Sequence, residues 1–145
     1  MSNNNILFKE LSNTIIGIAM RVHTKLGAGL PEVCYSRAIA LEFDYCNIPY
    51  SREFKVLVYY NDQPVGNLIP DIVVDNCIIL EFKSDNAIYP YHISQLFSYL
   101  HATHLRLGYV LNFGSKSLQF KRVIVWWLFC FYYSSQFWTN SPNSS

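Results

Sequence analysis

Pro70-Asp71-Ile72-Val73-Val74-Asp75-Asn76-Cys77-Ile78-Ile79-Leu80-Glu81-Phe82-Lys83 decides the fold. Apolar, β-forming residues lie on both sides of Asp75-Asn76, a pair suited to a turn, so the stretch predicts two adjacent strands. Glu81 and Lys83 are two apart on the second strand and share a face, while Leu80 and Phe82 point to the other. The loop length sets where Asp71 falls. A two-residue loop pairs Val74 with Cys77 and puts Asp71 opposite Leu80, so the carboxylates lie on opposite faces. A three-residue loop, Asp75 to Cys77, pairs Val74 with Ile78 and brings Asp71 opposite Glu81. A one-residue slip reverses every side chain, so a joint site needs the second register or an equivalent bulge.

Two facing carboxylates repel, and one of them resists ionisation. A bound Mg²⁺ or Mn²⁺ relieves this, because both ions favour oxygen ligands and keep waters of their own. Such an ion activates water as a nucleophile, and Lys83 is placed to orient or deprotonate it. The plain alternative is a surface hairpin with solvated charges. Against it, Glu81 and Lys83 follow an apolar strand that reads as buried, where a charge pair needs a partner or an ion.

The surrounding elements build an α/β order of ααβββαββ with a mixed sheet. Ile15, Ile16, Ala19, Val22, His23 and Leu26 recur at helical spacing, which predicts a helix over about 12–26 with Ser12 as N-cap. Gly27-Ala28-Gly29 ends it, and Pro31 starts a second helix running to about Tyr45. Strands follow at 54–60, 65–74 and 77–83. A third helix covers about 89–102, a fourth strand 107–113, and a last strand starts near Leu118.

The chain has 145 residues, half of them hydrophobic, enough for one domain with a real core. Its net charge of +1 lends no support to phosphate binding by bulk electrostatics, though a local basic patch can hide in that sum. Cys34, Cys46, Cys77 and Cys130 lack zinc spacing and read as buried apolar residues in a reducing compartment. The polar start, Ser2-Asn3-Asn4-Asn5, does not have the order of a signal peptide, so a cytoplasmic protein is expected. From Val123 to Tyr133 every residue is apolar or aromatic. That run is shorter than the roughly 20 residues of a transmembrane helix. It reads as a strand continued into the core, an interfacial anchor, or a contact with an oligomer or protein partner. The expected division is 1–122 as the domain, 123–138 as a hydrophobic extension and 139–145 as a disordered tail.

Gly29-Leu30-Pro31-Glu32-Val33-Cys34-Tyr35 fits a GxxExxY signature. Other motifs accompany it in order: Val22-His23-Thr24-Lys25-Leu26-Gly27, Pro70-Asp71, Glu81-Phe82-Lys83, Gln95-Leu96-Phe97-Ser98-Tyr99-Leu100, and Leu107-Gly108-Tyr109-Val110-Leu111-Asn112-Phe113-Gly114. On these residues the chain, from its first helix to about Arg122, resembles the GxxExxY protein family, a branch of the PD-(D/E)xK nuclease superfamily. The resemblance implies a restriction-endonuclease-like core with Asp71, Glu81 and Lys83 as the site triad. It implies Glu32 as a helical glutamate completing the metal shell. An acid in a first helical turn equally suits the helix dipole. Gln95 and Tyr99 match the QxxxY motif of RecB-like nucleases, near metal or DNA. They share a helix face, and His92 joins them one turn earlier as a third substrate-binding candidate. The plainer reading is a partly buried polar stripe. His23 reads as a satisfied helix residue.

The resulting expectation is a Mg²⁺- or Mn²⁺-dependent nuclease hydrolysing phosphodiester bonds of DNA. The alternative is a non-catalytic nucleic-acid- or protein-binding module on the same fold.

Overall fold

A parallel pair of strands, β5 (Ile78–Lys83) and β6 (Leu107–Asn112), forms the centre of the molecule in a computed structural model that describes residues 7–126. Parallel neighbours need a crossover, and α3 (Pro90–Thr103) supplies it. The remaining elements are α1 (Lys9–Leu26), α2 (Glu32–Tyr45), β1 (Tyr50–Arg52), β2 (Val56–Tyr60), β3 (Gln63–Leu68), β4 (Ile72–Val74) and β7 (Gln119–Ile124). The main sheet has the order β1-β4-β5-β6-β7, and its other neighbours are antiparallel. β2 and β3 form a separate hairpin.

Helices cover both faces of the sheet. On one, Ile72, Val74, Ile78, Leu80, Phe82, Leu107, Tyr109 and Leu111 pack with Ile15, Ile18, Tyr35, Ile39 and Phe43 of α1 and α2. On the other, Val73, Ile79, Val110 and Val123 meet Leu96, Tyr99 and Leu100 of α3. Every residue of β6 is buried, as a strand covered on two sides requires. The fold is therefore α/β with a mixed central sheet flanked by helices, consistent with a restriction-endonuclease-like core.

The structure departs from the expected order in several places. The apolar stretch 65–74 is two strands. Ile69-Pro70 divides it, because proline has no N–H for a ladder and biases the residue before it. β3 goes to the hairpin and β4 to the main sheet. The three-residue β1 pairs with β4 and was not foreseen. Ser12 is not the N-cap: α1 begins a turn earlier, Phe8 occupies the cap, and the Ser12 N–H donates to Phe8 O at 2.9 Å. Leu7 and Leu11 pack on the core and draw the helix back. Pro31 is the N-cap of α2 rather than its first helical residue. Cys34 and Cys77 are half-buried, and Cys46 is exposed, against the expectation of buried cysteines. β7 carries the sheet to Ile124, two residues past the expected domain end, and the Val125 N–H donates to Arg106 O at 2.8 Å. The apolar run thus starts as a strand. Its part beyond Trp126, Cys130 and the expected tail lie outside the described residues. Among the described residues no helix is long and apolar enough to cross a membrane.

Candidate functional site

The turn after β4 controls the site. Asp75 and Asn76 have φ of 48° and 52°, left-handed values that asparagine and aspartate tolerate best among residues with a side chain. The Cys77 N–H donates to Val74 O at 3.0 Å, and Ile78 then pairs with Val74. This is the three-residue register, and the ladder runs on through Ile72 opposite Leu80. Asp71 and Glu81 come together on the α3 side of the sheet.

Each carboxylate is held by the opposite strand. Asp71 Oδ2 accepts the Phe82 N–H at 2.8 Å, and Glu81 Oε1 accepts the Asp71 N–H at 3.1 Å. Glu81 is 2% exposed. Burial first, and then the charge of Asp71, push its carboxyl up to about 8. Asp71 is also raised by burial, opposed by the Phe82 N–H and by Lys83. Burial and the neighbouring acid thus favour the protonated form of Glu81.

Lys83, two residues on, donates from Nζ to Gln95 Oε1 at 2.9 Å, and Gln95 Nε2 donates to the Tyr99 hydroxyl at 3.0 Å. One face of α3 therefore fixes the lysine. Tyr99 also senses the acids: burial and then Glu81 raise its phenol. Arg52, on β1, lies within electrostatic reach of Asp71. It lines a recess of about 200 Å³ with Glu32, Glu53, Asp71 and Phe82. Sequence reasoning missed Arg52 because three residues of edge strand carry no period.

The GxxExxY stretch forms a brace beside these groups. Gly29 has φ of 95°, which suits glycine. The buried Tyr35 hydroxyl donates to Gly27 O at 2.6 Å and accepts the Leu30 N–H at 3.1 Å, closing the loop. Leu30 O then accepts Ser84 Oγ–H at 2.8 Å, which ties the loop to the end of β5. Glu32, the first residue of α2, faces the Ser84 backbone, which favours its charged form. Burial raises its carboxyl, Lys83 opposes that, and Asp71 and Asp85 add to it.

His92 does not open toward a substrate. It is 1% exposed, its Nδ1 accepts the Tyr89 N–H at 3.0 Å, and its Nε2 lies 2.8 Å from Asp85 Oδ2. Its place at the third position of α3 makes it part of a helix cap. His23 is bonded to Ser115 O at 2.9 Å, as expected of a satisfied helix residue. Sequence reasoning also passed over Asn112 as a clamp. It is fully buried, its Oδ1 accepts the Asp85 N–H, and its Nδ2 donates to Asp85 O, both at 2.9 Å.

Among the described residues no group of three or more His, Cys, Asp or Glu side chains is arranged to hold a metal ion. In this arrangement Glu32 is not grouped with Asp71 and Glu81. The pair itself fits a hard divalent cation: two buried carboxylates set against each other gain from a positive charge between them.

A sequence model of the PD-(D/E)XK nuclease superfamily matches residues 9–123. The chain belongs to the PD-(D/E)XK nuclease superfamily. The spacing that names this superfamily is met here by Pro70-Asp71 and Glu81-Phe82-Lys83. The matched range runs from the start of α1 to within one residue of the end of β7, so the superfamily match reaches every strand of the described sheet. No curated protein matches the chain. Among solved structures, that of SSO0001 is similar, with 15% identity and a TM-score of 0.47. The likeness covers 73% of this chain and 60% of that one, so the chain spans less than two-thirds of that protein.

Proposed function

We propose that this superfamily member is a Mg²⁺- or Mn²⁺-dependent nuclease that hydrolyses phosphodiester bonds of DNA, on the GxxExxY, RecB-like branch. The observation that carries the reading is the Asp71–Glu81 pair, a buried acid set against a second acid. Such a pair opposes folding as two anions and is satisfied by a cation. Asp71 and Glu81 would hold the ion, which when bound activates water and offsets charge on the phosphate. Nucleases of this superfamily generally use Mg²⁺ or Mn²⁺.

Lys83 points into the same space with its ammonium held at Gln95. From there it orients the attacking water, takes part in its deprotonation and stabilises the developing negative charge on the phosphate. Gln95 fixes the lysine, and Tyr99 fixes Gln95. Glu32, within electrostatic reach of Lys83 and Asp71, would add a further carboxylate for the ion. A reducing, cytoplasmic setting agrees with free Cys34, Cys46 and Cys77.

A second reading is a binding module that keeps the fold without turnover. The near-neutral net charge of +1 favours it. Purified wild type and Asp71→Ala, assayed on linear, circular and single-stranded DNA and on RNA with Mn²⁺, Mg²⁺ or EDTA, separate the two. The nuclease reading expects metal-dependent cleavage by wild type alone. A folded wild type that cuts none of these substrates overturns it.

A further inference from the structure

Two exposed tyrosines stand at the first turn of α3, and nothing described so far uses them. Tyr89 is 39% and Tyr91 63% exposed. Their rings lie 5.7 Å apart between centroids and only 6° from parallel, an offset stack. Both rest on the buried His92. Tyr91 meets the imidazole edge-on at 4.2 Å, and Tyr89 meets it at 5.6 Å. His92 also accepts the Tyr89 N–H and lies against Asp85, whose charge reaches the Tyr91 phenol. The pair is therefore held in place from below, at a cost already met by the helix cap.

Its position joins it to the proposed site. Tyr91 is within electrostatic reach of Asp85 and Glu32, and Glu32 is within reach of Lys83 and Asp71. Gln95, which holds Lys83, follows on the same helix. Exposed aromatic rings usually lower their free energy by covering, and rigid, parallel ones are suited to a flat partner. A base has such a face whatever its identity. The charge pattern favours this partner over a phosphate grip. The chain carries a net charge of only +1, and the groups beside the tyrosines are acids. With acids beside the rings, stacking on a base is favoured at this place over a grip on phosphate.

We propose that Tyr89 and Tyr91 form a stacking platform for unpaired bases, which makes a single-stranded segment or frayed end the substrate form this chain takes. The inference rests on the nuclease reading above. A duplex keeps its bases stacked on each other and has none to offer, so the platform discriminates by strand state and not by sequence.

The test uses the full chain carrying Asp71→Ala, without metal, so that binding is read apart from cleavage. Fluorescein-labelled oligothymidylate, oligouridylate and a blunt hairpin duplex are titrated by anisotropy. Adding Tyr91→Ala or Tyr89→Ala should weaken single-strand binding about tenfold each and leave duplex binding within twofold. Tyr91→Trp should restore it, and Tyr91→Phe should keep most of it. The dependence on salt should be shallow, equivalent to about two phosphate contacts or fewer. The same tyrosine substitutions in the otherwise wild-type chain should lower cleavage of single strands only. If these variants, folded by circular dichroism, bind and cut single strands as the parent does, the platform is overturned while the nuclease reading stands. If the parent and wild type neither bind nor cut any nucleic acid, both fall together. The deoxy and ribo arms decide which strand is preferred.

Discussion

Two acidic sites flank the end of β5 and are built on opposite terms. At Asp85, the backbone N–H, the carbonyl and one carboxylate oxygen each have a partner within the protein. His92 takes its carboxylate at 2.8 Å, and Asn112 takes its N–H and its carbonyl at 2.9 Å each. At Asp71 and Glu81 the backbone supplies one N–H to each carboxylate, and beyond that acid faces acid. The first arrangement is complete within the protein and positions the chain after Lys83. The second sets one acid against another, so deep that burial and Asp71 push the Glu81 carboxyl up to about 8. A fold keeps such a conflict at a cost to stability, and a cation relieves it. The contrast separates a group that builds the site from one that works in it.

The sharpest way to break this division is to remove the lysine on the working side. Lys83→Ala should leave the fold intact, as judged by circular dichroism, and lower metal-dependent cleavage by at least about 100-fold. An undiminished rate would remove Lys83 from the chemistry. On the building side, Gly114→Ala should act through stability. A methyl group there would sit 2.1 Å from Asp85 O and 2.5 Å from Asp85 N, both backbone atoms. The expected cost in urea unfolding is on the order of 1–3 kcal/mol, with cleavage falling because the exit of β5 moves. A variant as stable as wild type would show that the 84–85 backbone yields freely.

The two sites should also differ in pH dependence. Folded Glu81 keeps a proton to about pH 8, whereas in the unfolded chain it ionises near its ordinary 4.5. Its contribution is therefore complete below pH 4.5 and lost as pH rises through 8. Without divalent ions, the melting temperature of wild type should fall by several degrees between pH 5 and 8.5. Glu81→Gln should flatten that fall, and an equal decline in the two proteins would contradict the assignment. The smallest expected effect belongs to Gln95→Ala. Lys83 loses its fixed acceptor but keeps its charge, so cleavage should drop about tenfold or less. A loss as large as that of Lys83→Ala would give Gln95 a direct role.

The working site was more legible in the sequence than its support. Glu81 and Lys83 share a face by the period of a strand, and the Asp75-Asn76 turn left only two registers to choose between. Asp71 follows once the loop has three residues. The support depends on contacts between distant segments. Asn112 reads as one more residue of a buried strand, yet its amide is spent on Asp85, 27 positions away. Ser84 and Leu30 meet across 54 positions. The division of 65–74 was missed because Val65, Leu68 and Ile69 continue the apolar character of β4, and only Pro70 marks the break. Ser12 had the chemistry of a cap, but Leu7 and Leu11 extended the helix past it by packing. His92 shared a face with Gln95 as expected, and burial turned it to the cap instead.

On the proposed function, Asp71 and Glu81 hold a divalent cation in place of the Glu81 proton. Calorimetric titration of Mn²⁺ into the metal-free protein at pH 7, repeated in buffers of different ionisation enthalpy, measures both the ion and the proton. The account predicts Mn²⁺ uptake coupled to release of about one proton, lost in Asp71→Ala and without the proton in Glu81→Gln. Folded wild type that takes up no Mn²⁺, or uptake indifferent to both substitutions, would contradict it.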